Sequence, residues 1–150
     1  MSQPKFITSP SYDMLHSAAI TMTREARTLG YWIDCVAAPV KGGLLFGVIA
    51  ANKLNVPLVT LHYSSKQGKG DDKNHKNTLQ PIEHKTILLV DDIIDSGQTL
   101  KEIVNYYTNQ GHTIITAAYH YKEDAVFKPD LYFWLIQKDS KFVEFPWEKD

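Results

Sequence analysis

The sequence predicts an α/β protein: a doubly wound, mainly parallel sheet flanked by helices, with a small C-terminal hood and a flexible lid loop. Two observations carry this expectation. Four short runs of mostly β-branched or aliphatic residues alternate with three stretches whose apolar residues recur at helical spacing, and strands covered on both faces read as continuous apolar runs of this kind. The chain also has 150 residues, 43% hydrophobic and 22% charged, the size and composition of one ordinary globular domain. A single unit over residues 1–150 is therefore expected.

Residues 11–29 open the pattern, with Met14, Leu15, Ala18, Ala19 and Met22 on one helical face. Residues 32–38 (WIDCVAA) form the first strand. Within it the lone cysteine, Cys35, reads as a buried structural thiol, and having only one excludes an intrachain disulfide. A helix over 43–54, rich in Leu, Val and Ala, precedes the second strand at 57–61. Residues 64–81 are polar and nearly free of apolar side chains, too long for an ordinary connection and therefore the expected lid. The third strand spans 86–90 (TILLV), and the third helix, 98–110, ends against Gly111, a natural helix terminator. The fourth strand spans 113–119. Right-handed crossovers assemble these units into one parallel sheet. From Lys122 onward aromatic residues concentrate, and short strands at 131–136 and 141–145 are read as a hood over 122–150 beside the main sheet.

A formal net charge of -1 gives no overall recruitment to nucleic acid or an anionic membrane, which call for basic patches. No window approaches the roughly 18 consecutive apolar residues of a membrane span, and the N-terminus lacks the layout of a secretory signal. The cytoplasm is the expected compartment. The six histidines show no metal-ligand spacing such as HExxH.

Chemistry concentrates where the run ILLV meets Asp91 and Asp92, continues through Ile93 and Ile94, and presents Asp95, Ser96, Gly97, Gln98 and Thr99 before the next helix. Ligands of open α/β sheets bind outside the carboxyl ends of strands, and a helix N-terminus there offers backbone N–H groups to an anion. Gly97 lets the backbone approach closely, while Ser96 and Thr99 add hydroxyl donors. Carboxylates repel bare phosphate but accept bonds from sugar hydroxyls and coordinate Mg²⁺. A ligand carrying phosphate, ribose and a divalent metal satisfies both halves.

LLVDDIIDSGQTL resembles the phosphoribosyl pyrophosphate (PRPP) signature of type I phosphoribosyltransferases, and the resemblance extends over nearly the full chain. It implies that Asp91 and Asp92 hold the ribose hydroxyls directly or through Mg²⁺, with Asp92 the better direct metal ligand. It further implies that Asp95, Ser96, Gly97, Gln98 and Thr99 wrap the 5′-phosphate while Asp95 faces N7 of the incoming base. Lys41, Gly42 and Gly43 resemble the family's pyrophosphate loop, in which the peptide before the basic residue can be cis, here Val40–Lys41. Lys66, Lys69, Lys73 and Lys76 of the lid would close over pyrophosphate; the family often carries Ser-Tyr where this chain has Ser64, Ser65 and Lys66.

The order of Lys122, then Lys128, Pro129 and Asp130, then Lys141, Phe142 and Val143 is similar to the 6-oxopurine phosphoribosyltransferases. By that likeness Lys122 contacts O6, Phe142 stacks on the base, and main chain at Val143 reads its edge. Tyr12 to Leu15 and the Pro146-Trp147 ending resemble the bacterial xanthine-guanine enzymes, although this chain lacks their further C-terminal segment. The expected activity is transfer of a phosphoribosyl group from PRPP to hypoxanthine, guanine or xanthine, with Asp95 catalytic, Mg²⁺ as cofactor and a homo-oligomer, dimer or tetramer, as the assembly. A PRPP-sensing regulator that binds nucleic acid on the same fold, and a phosphoribosyltransferase for another base, are the alternatives.

Overall fold

The computed structural model describes residues 9–65, 77–83, 86–138 and 143–149. Helix α1 (Tyr12–Arg27) begins where the Ser11 hydroxyl accepts from the Met14 N–H at 3.2 Å, and carries Arg24 and Arg27 in its last turn. Both ends thus suit the helix dipole and its unpaired backbone groups. Strand β1 (Cys35–Pro39) leads to helix α2 (Leu44–Leu54), which closes on Asn55 in a left-handed conformation. Then come β2 (Leu58–Leu61), β3 (Thr86–Ile94), helix α3 (Gln98–Thr108), β4 (Thr113–Lys122), β5 (Leu131–Ile136) and a 3₁₀ turn, Pro146–Glu148.

All five strands pair in parallel in the order β2-β1-β3-β4-β5. One face buries Val36, Leu88, Val90 and Tyr119 against Leu15, Ala19, Met22, Phe46 and Ala50 of α1 and α2. The other buries Cys35, Leu89, Ile94 and Ala118 against Leu100, Ile103 and Tyr107 of α3. Each fully buried Leu, Ile or Phe contributes about 1.5–3 kcal/mol relative to exposure, so the apolar runs specify a sheet with helices on both faces, as expected. Among the described residues no helix is long and apolar enough to cross a membrane.

Four expectations need correction. The first strand begins at Cys35 rather than residue 32, and Trp32 is 85% exposed. The third strand does not stop at residue 90: β3 continues through Asp91 and Asp92 to Ile94 because β4 pairs with it as far as Tyr121. The strand expected at 131–136 forms, but as the edge of the main sheet, in register with Ala117–Lys122 of β4, rather than in a separate hood. Of the strand expected at 141–145, Lys141 and Phe142 lie outside the described residues, and 143–145 carry no strand. Instead the Phe145 N–H donates to Glu148 Oε1 at 2.9 Å and shapes the 3₁₀ turn. Of the lid, residues 66–76 lie outside the described residues.

Candidate active site

The sheet order reverses at β1, with β2 on one side and β3, β4 and β5 on the other. Such a reversal leaves a crevice outside the carboxyl ends of the two strands that flank it. Between β1 and β3 a cleft of about 290 Å³ opens there. Its walls are Pro39 at the end of β1, Val40 and Gly42 beyond it, Tyr63 and Ser64 after β2, residues 91–97, and Thr99 and Leu100. A larger hollow of about 590 Å³, among Arg27, Tyr31, Trp32, Ile33, Leu54, Asn55 and Val56, lies at the opposite, amino ends of β1 and β2. No N-terminus of α2 or α3 reaches that end, so the smaller cleft is the one furnished for an anion.

β3 pairs with β1 only at Ile87, Leu88 and Leu89, while its pairing with β4 continues to Ile94. Beyond Leu89 its β1 side therefore faces the cleft, and Asp91 and Asp92 stand half-buried in the wall. Asp91 Oδ1 accepts from the Asp92 N–H at 2.8 Å, and Asp92 Oδ1 from the Ile93 N–H at 2.7 Å. Burial, reinforced by the charge of Asp92, pushes the Asp91 carboxyl well above the usual carboxylate range. Burial also raises Asp92, and there a hydrogen bond from Asp91 opposes the rise. The pair behaves as two like charges in one site, with Asp91 the readier to hold a proton.

The turn after β1 closes on this pair. Gly43 N–H donates to Pro39 O at 2.9 Å and Leu44 N–H to Lys41 O at 3.0 Å, and the Val40–Lys41 peptide is cis, the configuration the family resemblance allowed. A Cβ on Gly42 would collide with the Asp92 carboxylate, so only glycine permits the turn and the acid to approach this closely. Gly42 lines the cleft, whereas Lys41 stands exposed on the turn outside its walls.

At the other side β3 runs into the N-terminus of α3. Gly97 caps this helix with φ +85, a left-handed conformation, and a Cβ there would sit 2.7 Å from the Phe127 backbone nitrogen. Ser96 holds the turn: its Oγ accepts from the Gln98 N–H at 3.2 Å and its carbonyl from the Val126 N–H at 2.8 Å. The first-turn N–H groups of a helix have no carbonyl behind them and point outward with the positive dipole end. Thr99 Oγ1 accepts from the Ser65 N–H at 3.1 Å and shares a hydrogen bond with its hydroxyl at 2.9 Å. Gln98 Nε2 donates to Glu102 at 2.6 Å, as does the Tyr63 hydroxyl at 2.7 Å. These two bonds, Gln98 first, hold the Glu102 carboxyl below its usual range. Tyr63 and Glu102 were not singled out from the sequence; polar residues beside a lid carry no distinguishing pattern.

Lys122 ends β4 with its ammonium 3.4 Å from Asp95 Oδ1. The fold thus joins two residues 27 positions apart that were assigned separately to base binding and catalysis. Val143 is buried in the core, which leaves its main chain for any contact with a base, and Phe142 lies outside the described residues.

The phosphoribosyl transferase domain model matches residues 11–149. The xanthine-guanine phosphoribosyltransferase of Roseobacter denitrificans is 25% identical over 158 residues, 92% of this chain and 83% of that protein. The solved purine phosphoribosyltransferase of Pyrococcus horikoshii matches with a TM-score of 0.76 at 23% identity, over 95% of this chain and 94% of that one. For the xanthine-guanine-hypoxanthine phosphoribosyltransferase of Helicobacter pylori the TM-score is 0.74 at 18% identity, over 93% and 90%. At these identities the structural matches speak for the fold, while the family match includes every wall of the cleft.

Proposed function

Because this chain belongs to the phosphoribosyl transferase domain family, we propose that it transfers a 5-phosphoribosyl group from PRPP to N9 of a 6-oxopurine. The products are a nucleoside monophosphate and pyrophosphate. The observation that carries the reading is one cleft in which two adjacent carboxylates face the glycine-capped N-terminus of α3, with Lys122 paired to Asp95 at its edge. The xanthine-guanine relative supports the choice of base.

The N-terminus of α3, with the Ser96 and Thr99 hydroxyls, receives the 5′-phosphate and fixes the sugar. Asp91 and Asp92 accept from the ribose hydroxyls. The backbone around Gly42 lies against Asp92 and receives the pyrophosphate end. Lys122, which stands 3.4 Å from Asp95 Oδ1, donates to O6 of the base. The C1′–O bond to pyrophosphate breaks as N9 bonds to C1′, and Asp95 takes the N7 proton as charge develops on the ring.

The donor set suits Mg²⁺. Among the described residues no group of three or more His, Cys, Asp or Glu converges, but Mg²⁺ characteristically takes one or two carboxylates and completes its shell with substrate phosphates and water. Asp92, and through it Asp91, would hold the ion, which when bound neutralises the departing pyrophosphate. The test is incubation with Mg²⁺, PRPP and a panel of bases, identifying each nucleotide formed. Hypoxanthine, guanine or xanthine should be consumed; adenine or a pyrimidine alone would refute the acceptor, and no nucleotide from any base the activity.

A further inference from the structure

Tyr119 is wholly buried in β4, and its hydroxyl has no hydrogen-bond partner among the described residues. Native interiors hold few such groups, and each calls for a reason. The ring is fixed: it stacks on Phe46 of α2 with centroids 4.8 Å apart, leaving the hydroxyl as its one polar end.

The register shows what lies beside it. Asp91 pairs with Ala118 and Ile93 with His120, so the residue alongside Tyr119 on the neighbouring strand is Asp92. The Asp92 charge is felt by the phenol, raising its pKa further than burial alone does. Asp92 meanwhile spends Oδ1 on the Ile93 N–H. A buried donor without an acceptor thus lies on the residue alongside a half-buried carboxylate whose charge reaches it.

Resting on the reading of the cleft as a PRPP–metal site, we propose that Tyr119 is a positioning residue for Asp92. When PRPP and the divalent ion bind, its hydroxyl donates to the Asp92 carboxylate, directly or through one water, and fixes the orientation in which that carboxylate meets the ion. Partners of this kind orient metal ligands in many proteins, and losing one typically weakens binding about 10- to 100-fold.

The experiment compares the unaltered chain with Tyr119→Phe, which keeps the ring and its stacking on Phe46. Binding of PRPP in the presence of Mn²⁺ is measured by calorimetry, with the melting temperature followed separately without ligand. Tyr119→Phe should melt no lower than the unaltered chain yet bind at least about tenfold more weakly. In an Asp92→Ala background the same change should cost less than about twofold, because the group it positions is gone. Equal binding by the unaltered chain and Tyr119→Phe overturns the assignment, as does a full loss that persists in the Asp92→Ala background. Failure of the unaltered chain to bind PRPP with Mn²⁺ overturns the functional reading, and this assignment with it.

Discussion

Lys122 Nζ stands 3.4 Å from Asp95 Oδ1, tying the end of the fourth strand to the first residue beyond the third. A pair this open to solvent contributes at most about 1 kcal/mol, so its value lies in function. Asp95→Asn should leave the melting temperature nearly unchanged and PRPP binding intact while lowering kcat by ~10²–10⁴-fold, the usual worth of a positioned general base. Steady-state kinetics beside a melting curve decide it; unchanged turnover would remove Asp95 from the mechanism.

Lys122→Met tests the other member. Losing the donor to O6 should raise KM for a 6-oxopurine by about tenfold or more, since a hydrogen bond from a charged donor is worth about 1.5–3 kcal/mol. The KM for PRPP should stay put. A loss confined to PRPP would place Lys122 on the sugar side of the cleft.

Gly42→Ala and Gly97→Ala should fail differently. At Gly42 the added methyl meets the Asp92 carboxylate, displacing the acid while the surrounding fold persists, so activity falls well before stability does. At Gly97 the left-handed φ of +85 costs any L side chain roughly 1–2 kcal/mol, and the Phe127 backbone blocks the new methyl. That variant should lose stability and activity together in parallel denaturation and turnover measurements.

The acidic pair should leave a signature in pH. Because burial raises the folded-state pKa of Asp91 above its unfolded value, the folded chain binds more protons than the unfolded one in the window between the two. Stability without metal therefore falls as pH rises through that window, and the penalty is absent below it. Asp91→Asn should consequently stabilise the metal-free protein at neutral pH, with the advantage vanishing toward the ordinary aspartate pKa of about 3.9. Urea titrations in chelator from acid to neutral pH test this; an advantage independent of pH would contradict it.

Cys35 is fully buried, and burial pushes its thiol up to about 11. A chromogenic disulfide reagent should label the native chain only as fast as it unfolds. Rapid labelling of the native state would show that β1 opens locally.

The core was legible because its strands are apolar on both faces; α3 starts at the expected Gln98. β3 was cut short because aspartate is unfavourable in strands, and Asp91 and Asp92 read as a strand's end; long-range pairing with β4 overrides that preference. Trp32 misled in the opposite sense, since an aromatic beside a strand gives no sign of facing solvent. The fifth strand was recognised but misplaced: Tyr132 and Phe133 are exposed, and such an edge reads as peripheral until its register is seen. The acids and the phosphate cradle were legible as a motif because they are local. Tyr119 was not, since its ring satisfies every criterion for core and only the sheet register sets it alongside Asp92.

The two halves of β3 differ in one further respect. Ile87 to Leu89 lie between β1 and β4, whereas the strand from Val90 onward is flanked by β4 alone. Amide hydrogens of the first half should exchange with solvent only through global opening, those of the second through smaller local fluctuations. One strand thus carries a half paired on both sides and a half paired on one side alone, and slowed exchange confined to the second half would register occupancy directly.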